Sequence, residues 1–397
     1  MNKNTTVVMM GLGYIGLPTA ALIASKEISV LGVDINENVV KTINNGEIHI
    51  VEPALDGLVW HGVERGYLKA AIAPTEADVF LIAVPTPFKE NHEPDLIYVE
   101  SATRMILPHL KEGDLFIIES TSPVGTTEKI AKLIFSERPG LEGKINVAYC
   151  PERVLPGNVI HELKNNDRAI GGIDQASTKR AANFYRLFVT GELYETNART
   201  AEMTKLVENA SRDVQIAFAN ELSMICGEAD IDVWELINLA NKHPRVNILQ
   251  PGTGVGGHCI AVDPWFIVSE FKEKAKMIRT AREINNFKPE WVIEKIKNKA
   301  LEFELKEGRK PKIACFGLTF KPDIDDLRES PALYVVQSLI SQGFQILAVE
   351  PNVTNSKSIS FELTSTEYAL KNLDVGFKLV NHRLFKNLKS EITSFVN

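Results

Sequence analysis

The run Gly252-Thr253-Gly254-Val255-Gly256-Gly257-His258-Cys259, with Asp263 four residues on, sets a thiol, an imidazole and a carboxylate around a glycine-rich main chain. Glycines at this density let the backbone close on a ligand and leave amide N–H groups free to bind oxygens. A lone cysteine is most often a small buried hydrophobe. At the exit of such a loop, with a carboxylate close by, nucleophilic work is the better reading of Cys259. His258 has two readings, a base for that thiol or a structural ring bonded to its own loop, and the plainer second one is adopted.

A second constellation, Gly11-Leu12-Gly13-Tyr14-Ile15-Gly16, follows an apolar strand pattern and opens a helical one. In that context the spacing predicts a dinucleotide fingerprint. The first glycine makes the tight turn, the second lets the backbone approach a pyrophosphate, and the third allows close packing of the helix whose N-terminus faces the anion. Asp34 ends the next strand, where a carboxylate hydrogen-bonds a ribose 2′-OH; with Ile35 and Asn36 after it instead of an arginine, NAD is expected over NADP. A third group, Lys205, Asn209 and Arg212, falls at i, i+4 and i+7 of a helical pattern and so shares one face. Such a face is ordinarily solvated. Beside a cofactor, cationic and amide groups would also stabilise an alkoxide, which makes the face a candidate wall of an active site.

The elements that must position these residues follow from periodicity. Thr6–Met10, Val30–Val33, Val79–Val84, Leu115–Glu119 and Ile145–Tyr149 read as strands with helical crossovers between them, which predicts a mostly parallel sheet covered on both faces. From about Thr200 to Ala229 apolar residues recur at helical spacing without interruption, a long helix linking two halves. From Lys312 the opening layout repeats, with the strand Ile313–Phe316, the helix Pro331–Gln342 and the strand Gln345–Val349. The loop Gly317-Leu318-Thr319-Phe320-Lys321-Pro322 lacks the glycine fingerprint, so this part need not hold a second dinucleotide. The predicted fold class is α/β, two Rossmann-like doubly wound parallel-sheet domains joined by a long central helix. Its parts are a cofactor domain over residues 1–199, a helical linker and dimerisation region over 200–300, and a C-terminal Rossmann-like domain over 301–397.

Composition sets the outer limits. With 397 residues, 44% hydrophobic and 24% charged, the chain is globular and long enough for several cores. Its net charge of −7 argues against binding nucleic acid or an anionic membrane as a whole, and any anion site must be local. Cys150, Cys226, Cys259 and Cys315 form neither a C-x-x-C pair nor a zinc spacing, which fits a reducing cytoplasm and no metal. The apolar run Val7 to Ala24 after Lys3 could pass for a signal-peptide core, but Gly11, Gly13, Gly16 and Pro18 interrupt it where a turn belongs. No later stretch approaches the ~20 apolar residues of a membrane span, and a soluble protein is expected.

Taken together with Val84-Pro85-Thr86-Pro87, Glu119-Ser120-Thr121-Ser122-Pro123-Val124-Gly125-Thr126, Cys150-Pro151-Glu152-Arg153, Phe320-Lys321-Pro322-Asp323 and Arg328-Glu329-Ser330-Pro331, these motifs resemble the UDP-sugar 6-dehydrogenase family almost from end to end. The resemblance implies NAD on the first domain, a UDP-sugar held by the second and the linker, and a homodimer around the long helix. It implies Cys259 as thiol nucleophile, Lys205 and Asn209 as an oxyanion-stabilising pair, Asp263 as their support, and Thr121 and Glu152 in water activation and proton transfer. Tyr14, Ile15, Pro85, Thr86 and Thr121 join the implied cofactor contacts. Arg153, Val154, Arg212, His243, Gly252, Gly256, Gly257 and Phe320 join the implied substrate contacts. Lys321 and Arg328 would meet the nucleotide half of the substrate, and Arg245 resembles an arginine that reaches in from the neighbouring subunit.

Where the glucose-specific branch of the family has Phe-Pro-Lys-Asp after the nucleophile, this chain has Ile260-Ala261-Val262-Asp263, and Pro156 stands where that branch often has a glutamate. Both changes accompany the N-acetylhexosamine branch. The implied reaction is therefore four-electron oxidation at C6 of UDP-N-acetyl-D-mannosamine to its uronate, through a thiohemiacetal and a thioester on Cys259, in supply of a bacterial surface polysaccharide. UDP-N-acetylglucosamine or UDP-glucose would be other substrates of the same class. A two-electron hydroxyacid dehydrogenase would not need Cys259, and a cysteine hydrolase built on His258 and Cys259 would not need the fingerprint. After Leu379-Val380-Asn381-His382 the chain leaves the family pattern, so the last edge of the second sheet is not assigned from sequence.

Overall fold

A computed structural model describes residues 5–89, 92–154, 157–257, 259–353, 359–388 and 392–395. Lys3, Pro156 and His258, each given a reading above, lie outside them. The chain divides into two compact units, Met1–Val207 and Glu208–Asn397.

In the first unit the order is β1 (Thr6–Met10), α1 (Gly16–Ala24), β2 (Ser29–Val33), α2 (Glu37–Asn44), α3 (Leu55–Glu64), β3 (Leu68–Ala71), β4 (Val79–Ile82), α4 (Ile97–Ile106), β5 (Leu115–Ile118), α5 (Thr126–Glu137), β6 (Asn146–Tyr149), α6 (Val159–Asn165), β7 (Arg168–Gly172), α7 (Gln175–Tyr185) and β8 (Leu193–Asn197). The strands form one sheet in the order β3-β2-β1-β4-β5-β6-β7-β8, parallel throughout except for the antiparallel pair β6 and β7. Alternate residues of each strand serve opposite faces. Val7, Met9, Val79, Leu81, Leu115 and Ile117 pack under α1, α3, α6 and α7, while Val8, Met10, Phe80, Ile82, Phe116 and Ile118 pack under α4 and α5. Because both faces are covered, the strands read as continuous apolar runs, which is why the sequence revealed them. The strand order reverses between β1 and β4, and the crevice outside the carboxyl ends there is where such sheets bind nucleotides.

Three strands of this unit escaped the sequence reading, as did Val375–Lys378 in the second. Leu68-Lys69-Ala70-Ala71 has no β-branched or aromatic residue, Arg168-Ala169-Ile170-Gly171-Gly172 ends on two glycines, and Leu193-Tyr194-Glu195-Thr196-Asn197 is a polar edge. Neighbouring strands, not intrinsic propensity, hold them in the sheet.

The long helix α8 (Ala198–Ala229) crosses the boundary at Val207. The second unit continues with α9 (Val233–Ala240), α10 (Asp263–Phe271), α11 (Lys276–Glu307), β9 (Lys312–Phe316), α12 (Pro331–Ser341), β10 (Gln345–Val349), α13 (Thr366–Asn372), β11 (Val375–Lys378) and β12 (Thr393–Ser394). Its four-stranded sheet, β10-β9-β11-β12, is entirely parallel, and Thr393 and Ser394 supply the edge left unassigned by the sequence. Ile313, Cys315 and Phe377 face α11 and α12, whereas Ala314 and Phe316 face α13. Both units are thus Rossmann-like. Among the described residues no helix is long and apolar enough to cross a membrane.

Candidate active site

In the first unit the residues expected to hold a dinucleotide gather at the ends of β1, β2, β4 and β5. Gly11 has a φ of +89°, and a Cβ there would stand 2.6 Å from the Ala83 carbonyl oxygen. At Gly16 a Cβ would stand 1.8 Å from the Gly11 carbonyl oxygen, so only glycine lets α1 start against the turn. Gly13 is different: it is exposed, and a Cβ there would meet nothing within 4 Å. No neighbour among the described residues requires glycine at that position, whereas the close approach of a pyrophosphate would. Tyr14 is exposed and Ile15 half-buried beside it.

Asp34 is half-buried and accepts the Leu12 N–H at 3.0 Å on one oxygen and the Asn36 N–H at 2.9 Å on the other. Each carboxylate oxygen keeps a lone pair for a ribose hydroxyl. The neighbouring strand ends are laced together: the Ser120 hydroxyl donates to the Val84 carbonyl at 2.7 Å, and the Thr86 hydroxyl to the Thr121 carbonyl at 2.6 Å. Pro85, exposed, lies between them in sequence. The residues present fit NAD.

The same unit holds Glu152 and Lys205. Glu202, on the first turns of α8, takes N–H groups of Gly125 (2.6 Å) and Thr127 (2.7 Å) and the Thr127 hydroxyl (2.7 Å), capping the N-terminus of α5. That buried carboxylate fixes the stretch of α8 that carries Lys205. Glu152 is buried, and burial pushes its carboxyl above the usual range, opposed by the charges of Arg168 and Lys205. Arg153 turns its guanidinium to the Asp167 carbonyl at 3.0 Å, and Val154 is half-buried against the apolar core.

In the second unit, Cys259 is half-buried, and its carbonyl accepts the N–H groups of Val262 (3.0 Å) and Asp263 (2.8 Å) as the chain turns into α10. Asp263 is buried and accepts the Asn209 side-chain N–H at 2.5 Å, so helix face and nucleophile loop meet through one carboxylate. The loop is held at both ends. The Gly252 N–H donates to the Asn220 side-chain oxygen at 2.8 Å, and the Gly257 N–H donates to the Arg328 carbonyl at 3.1 Å. A Cβ at Gly257, whose φ is +81°, would stand 2.9 Å from the Phe320 ring; at Gly256 it would stand 2.4 Å from the Glu329 carbonyl oxygen. Close interlocking of this loop with the 317–331 segment therefore accounts for glycines that the sequence alone attributed to a ligand.

Elsewhere in the second unit, Lys321 is exposed and the Arg328 guanidinium lies on Asp326 at 2.6 Å. Arg212 is exposed on α8, and His243 and Arg245 are exposed in the turn after α9, where His243 Nδ1 accepts the Arg245 N–H at 3.3 Å. At the end of β10, Glu350 stands where Asp34 stands in the first unit and takes the Leu318 N–H at 2.7 Å. Unlike Asp34 it is buried and bonded to His382 at 2.9 Å. A carboxylate so engaged has little capacity left for a ribose.

Two groups of buried polar residues carried no signal in the sequence because their partners are far apart in the chain. One is Glu119, Tyr185 and Arg168 in the first unit; the other is Asp213, Arg282, Asn285 and Asn220 in the second.

Residues 5–189 match the NAD binding domain, 199–287 the central domain and 314–396 the UDP binding domain of the UDP-glucose/GDP-mannose dehydrogenase family. A UDP-N-acetyl-D-mannosamine dehydrogenase of Campylobacter jejuni is 56% identical over 413 residues, covering 100% of both chains. An NDP-N-acetyl-D-galactosaminuronic acid dehydrogenase of Ralstonia nicotianae is 54% identical over 97% of this chain and 93% of its own. Among solved structures, a UDP-D-ManNAc dehydrogenase from Pyrococcus horikoshii superposes with a TM-score of 0.86 at 40% identity, over 97% of this chain and 91% of the other.

Proposed function

The chain belongs to the UDP-glucose/GDP-mannose dehydrogenase family, and from that premise we propose that it is the NAD-dependent enzyme that oxidises C6 of UDP-N-acetyl-D-mannosamine to the carboxylate. The observation that carries this reading is the presence in one chain of a fitted dinucleotide crevice and a half-buried thiol, Cys259, at the exit of a clamped glycine loop. Bound NAD⁺ supplies the hydride acceptor for both oxidations. Lys205 and Asn209 hold the C6 oxygen as negative charge develops on it, and Asp263 orients Asn209. Cys259 adds to C6 of the aldehyde to form a thiohemiacetal, whose carbon has a hydride to give, and the thioester that results is cleaved by water. Glu152, with Thr121 beside the cofactor, takes the proton of that water, and Cys259 leaves as thiolate. Arg153, Val154, Arg212, His243, Phe320, Lys321, Arg328 and a partner copy's counterpart of Arg245 are the proposed substrate contacts.

The test is NADH produced per mole of sugar across UDP-N-acetyl-D-mannosamine, UDP-N-acetyl-D-glucosamine, UDP-N-acetyl-D-galactosamine and UDP-glucose. Two NADH per sugar, with the mannosamine epimer preferred, is the expected result; one NADH per sugar would sink the four-electron reaction, and preference for another epimer would move the substrate. The galactosaminuronate-named relative makes that arm informative, since it is almost as similar as the mannosamine one.

We assign the cofactor part to residues 1–199, the linker and dimer contacts to 200–300, and the UDP end to 301–397. A homodimer is supported by Phe218 and Ile225, apolar, exposed and seven residues apart on α8. A cytoplasmic location is supported by four cysteines of which none is in a disulfide.

Replacing Asp34 with alanine removes a charged acceptor of ribose hydroxyls, each such bond contributing ~1.5–3 kcal/mol. KM for NAD⁺ then rises on the order of ten- to a hundredfold, and the preference over NADP⁺ narrows. Wild-type enzyme that runs faster on NADP⁺ would contradict the assignment. Lys205→Ala should lower kcat by about a hundred- to a thousandfold, the cost of losing one group at a developing oxyanion, while KM for the sugar changes by less than about threefold. Normal turnover with weakened binding would make Lys205 a substrate anchor instead.

A further inference from the structure

Behind Glu152 the first unit buries ionisable groups that the scheme above does not use. Glu119 follows β5, Cys150 and Glu152 follow β6, Arg168 opens β7 and Tyr185 closes α7. They converge because β7 runs antiparallel to β6: carrying the Ala148–Gly172 and Tyr149–Gly171 register on by three residues brings Arg168 level with Glu152. All five are buried. The Tyr185 hydroxyl donates to Glu119 Oε1 at 2.6 Å; Arg168 lies 5.1 Å from the Tyr185 ring centre, 3.8 Å from the Cys150 sulfur, and donates to the Leu163 carbonyl at 3.1 Å. Oε2 of Glu119, Oε2 of Glu152 and Nε of Arg168 are buried with no hydrogen-bond partner among the described residues.

Charge counting makes the cluster unusual for a structural one. Two buried carboxyls lie within electrostatic range of one buried guanidinium. The other cation in reach, Lys205, is half-exposed and acts on Glu152, where Glu162 opposes it. Burial pushes Glu119 up to about 7, with Arg168 and the Tyr185 hydrogen bond drawing it down and the charge of Glu152 lifting it again. Burial also pushes the Cys150 thiol up to about 11 and the Tyr185 hydroxyl well above its ordinary value, so near neutrality both are uncharged. That leaves the two carboxyls, both raised by burial, as the members of the cluster that can exchange a proton.

We propose that Glu119 is a positioning residue for the acid–base chemistry of Glu152: the two carboxyls share Arg168 as counter-ion and hold one proton between them, which keeps Glu152 basic enough to take a proton from water. The proposal rests on Glu152 as the base. The reaction has the matching need, since each turnover converts an alcohol, two NAD⁺ and one water into a carboxylate, two NADH and three protons. A base whose affinity for protons lies near the operating pH does such work best.

Glu119→Gln keeps an acceptor for the Tyr185 hydroxyl but removes the competing charge. Glu152, left with Arg168 to itself, then stays ionised to lower pH. The acid limb of kcat for uronate formation should move down by about one pH unit, its plateau should fall severalfold, and KM for NAD⁺ and sugar should stay within about twofold. A limb that does not move overturns the proposal, because a merely structural Glu119 would change stability and amplitude alone. A second measurement does not depend on turnover: NMR titration of ¹³C-labelled glutamate carboxyls, with Glu119 assigned by its loss in Glu119→Gln. In Glu152→Gln the Glu119 signal should titrate lower by a similar margin, and an unchanged titration overturns the coupling. Full-rate uronate formation by Glu152→Gln would remove the base from the proposed function and the catalytic half of this proposal with it, while the NMR titration still decides the coupling.

Discussion

Cys259→Ser should lower steady-state uronate formation by at least about a thousandfold, on the scale seen when a covalent enzyme loses its nucleophile. The thiol has two duties, to carry the aldehyde into the second oxidation and to leave from the acyl group when water attacks. A serine hydroxyl is a far poorer nucleophile and a far poorer leaving group. The variant therefore stalls with an ester-linked sugar or leaks aldehyde, seen as added mass on the intact protein or by trapping with hydroxylamine. NAD binding should survive, because the residues proposed to hold the dinucleotide, Gly11, Gly13, Gly16 and Asp34, lie in the other unit. Turnover near the wild-type rate with two NADH per sugar would mean that no covalent intermediate forms, and the glycine loop would be a substrate clamp only.

What the sequence disclosed and what it hid divide along a physical line. The strand-turn-helix geometry proposed for the cofactor was legible because its requirements are local: a turn at Gly11, close packing at Gly16 and a carboxylate at the end of the next strand are all set within one βαβ unit. The fully covered strands β1, β4 and β5 were legible as apolar runs. The strands β3, β7 and β8 were not, since small, glycine-rich or polar segments join a sheet only when neighbours are already in place. The glycine loop was found, but its glycines were assigned to a ligand when Phe320 and the Glu329 carbonyl already leave no room for a side chain at Gly256 and Gly257. Least legible were the buried polar groups. Glu119 lies 66 residues from Tyr185, its hydrogen-bond partner, and Asp213 lies 69 from Arg282. A charge that is solvated in most chains can be told from one that is buried only when the fold supplies its partner.

That second group should respond strongly to mutation. Arg282 is 1% exposed, its Nη1 donates to Asp213 at 2.6 Å, and its Nη2 donates to the Asn286 side chain. Asp213, fully buried, also takes the Asn285 N–H at 2.8 Å; Asn285 in turn accepts from Asn220, whose oxygen holds Gly252. Burial pushes the Asp213 carboxyl up and the Arg282 charge opposes it, so the aspartate depends on that guanidinium to remain ionised. Arg282→Met removes the cation and leaves the carboxylate enclosed. Breaking such a pair from one side costs about 3–5 kcal/mol, whereas replacing both partners by apolar groups of similar volume is often neutral. Urea unfolding of the single variant should show a loss in that range, and Asp213→Leu in the same chain should recover much of it. Because the network ends at the Gly252 N–H, and Nη1 of Arg282 also lies 3.5 Å from the Ile260 carbonyl, the single variant should also alkylate faster at Cys259 with iodoacetamide, as a loosened loop exposes the half-buried thiol. A stability loss below about 1 kcal/mol would mean that solvent reaches the pair and screens it as it does a surface ion pair. Full destabilisation with unchanged alkylation would mean that the network supports α8 and α11 without holding the nucleophile loop.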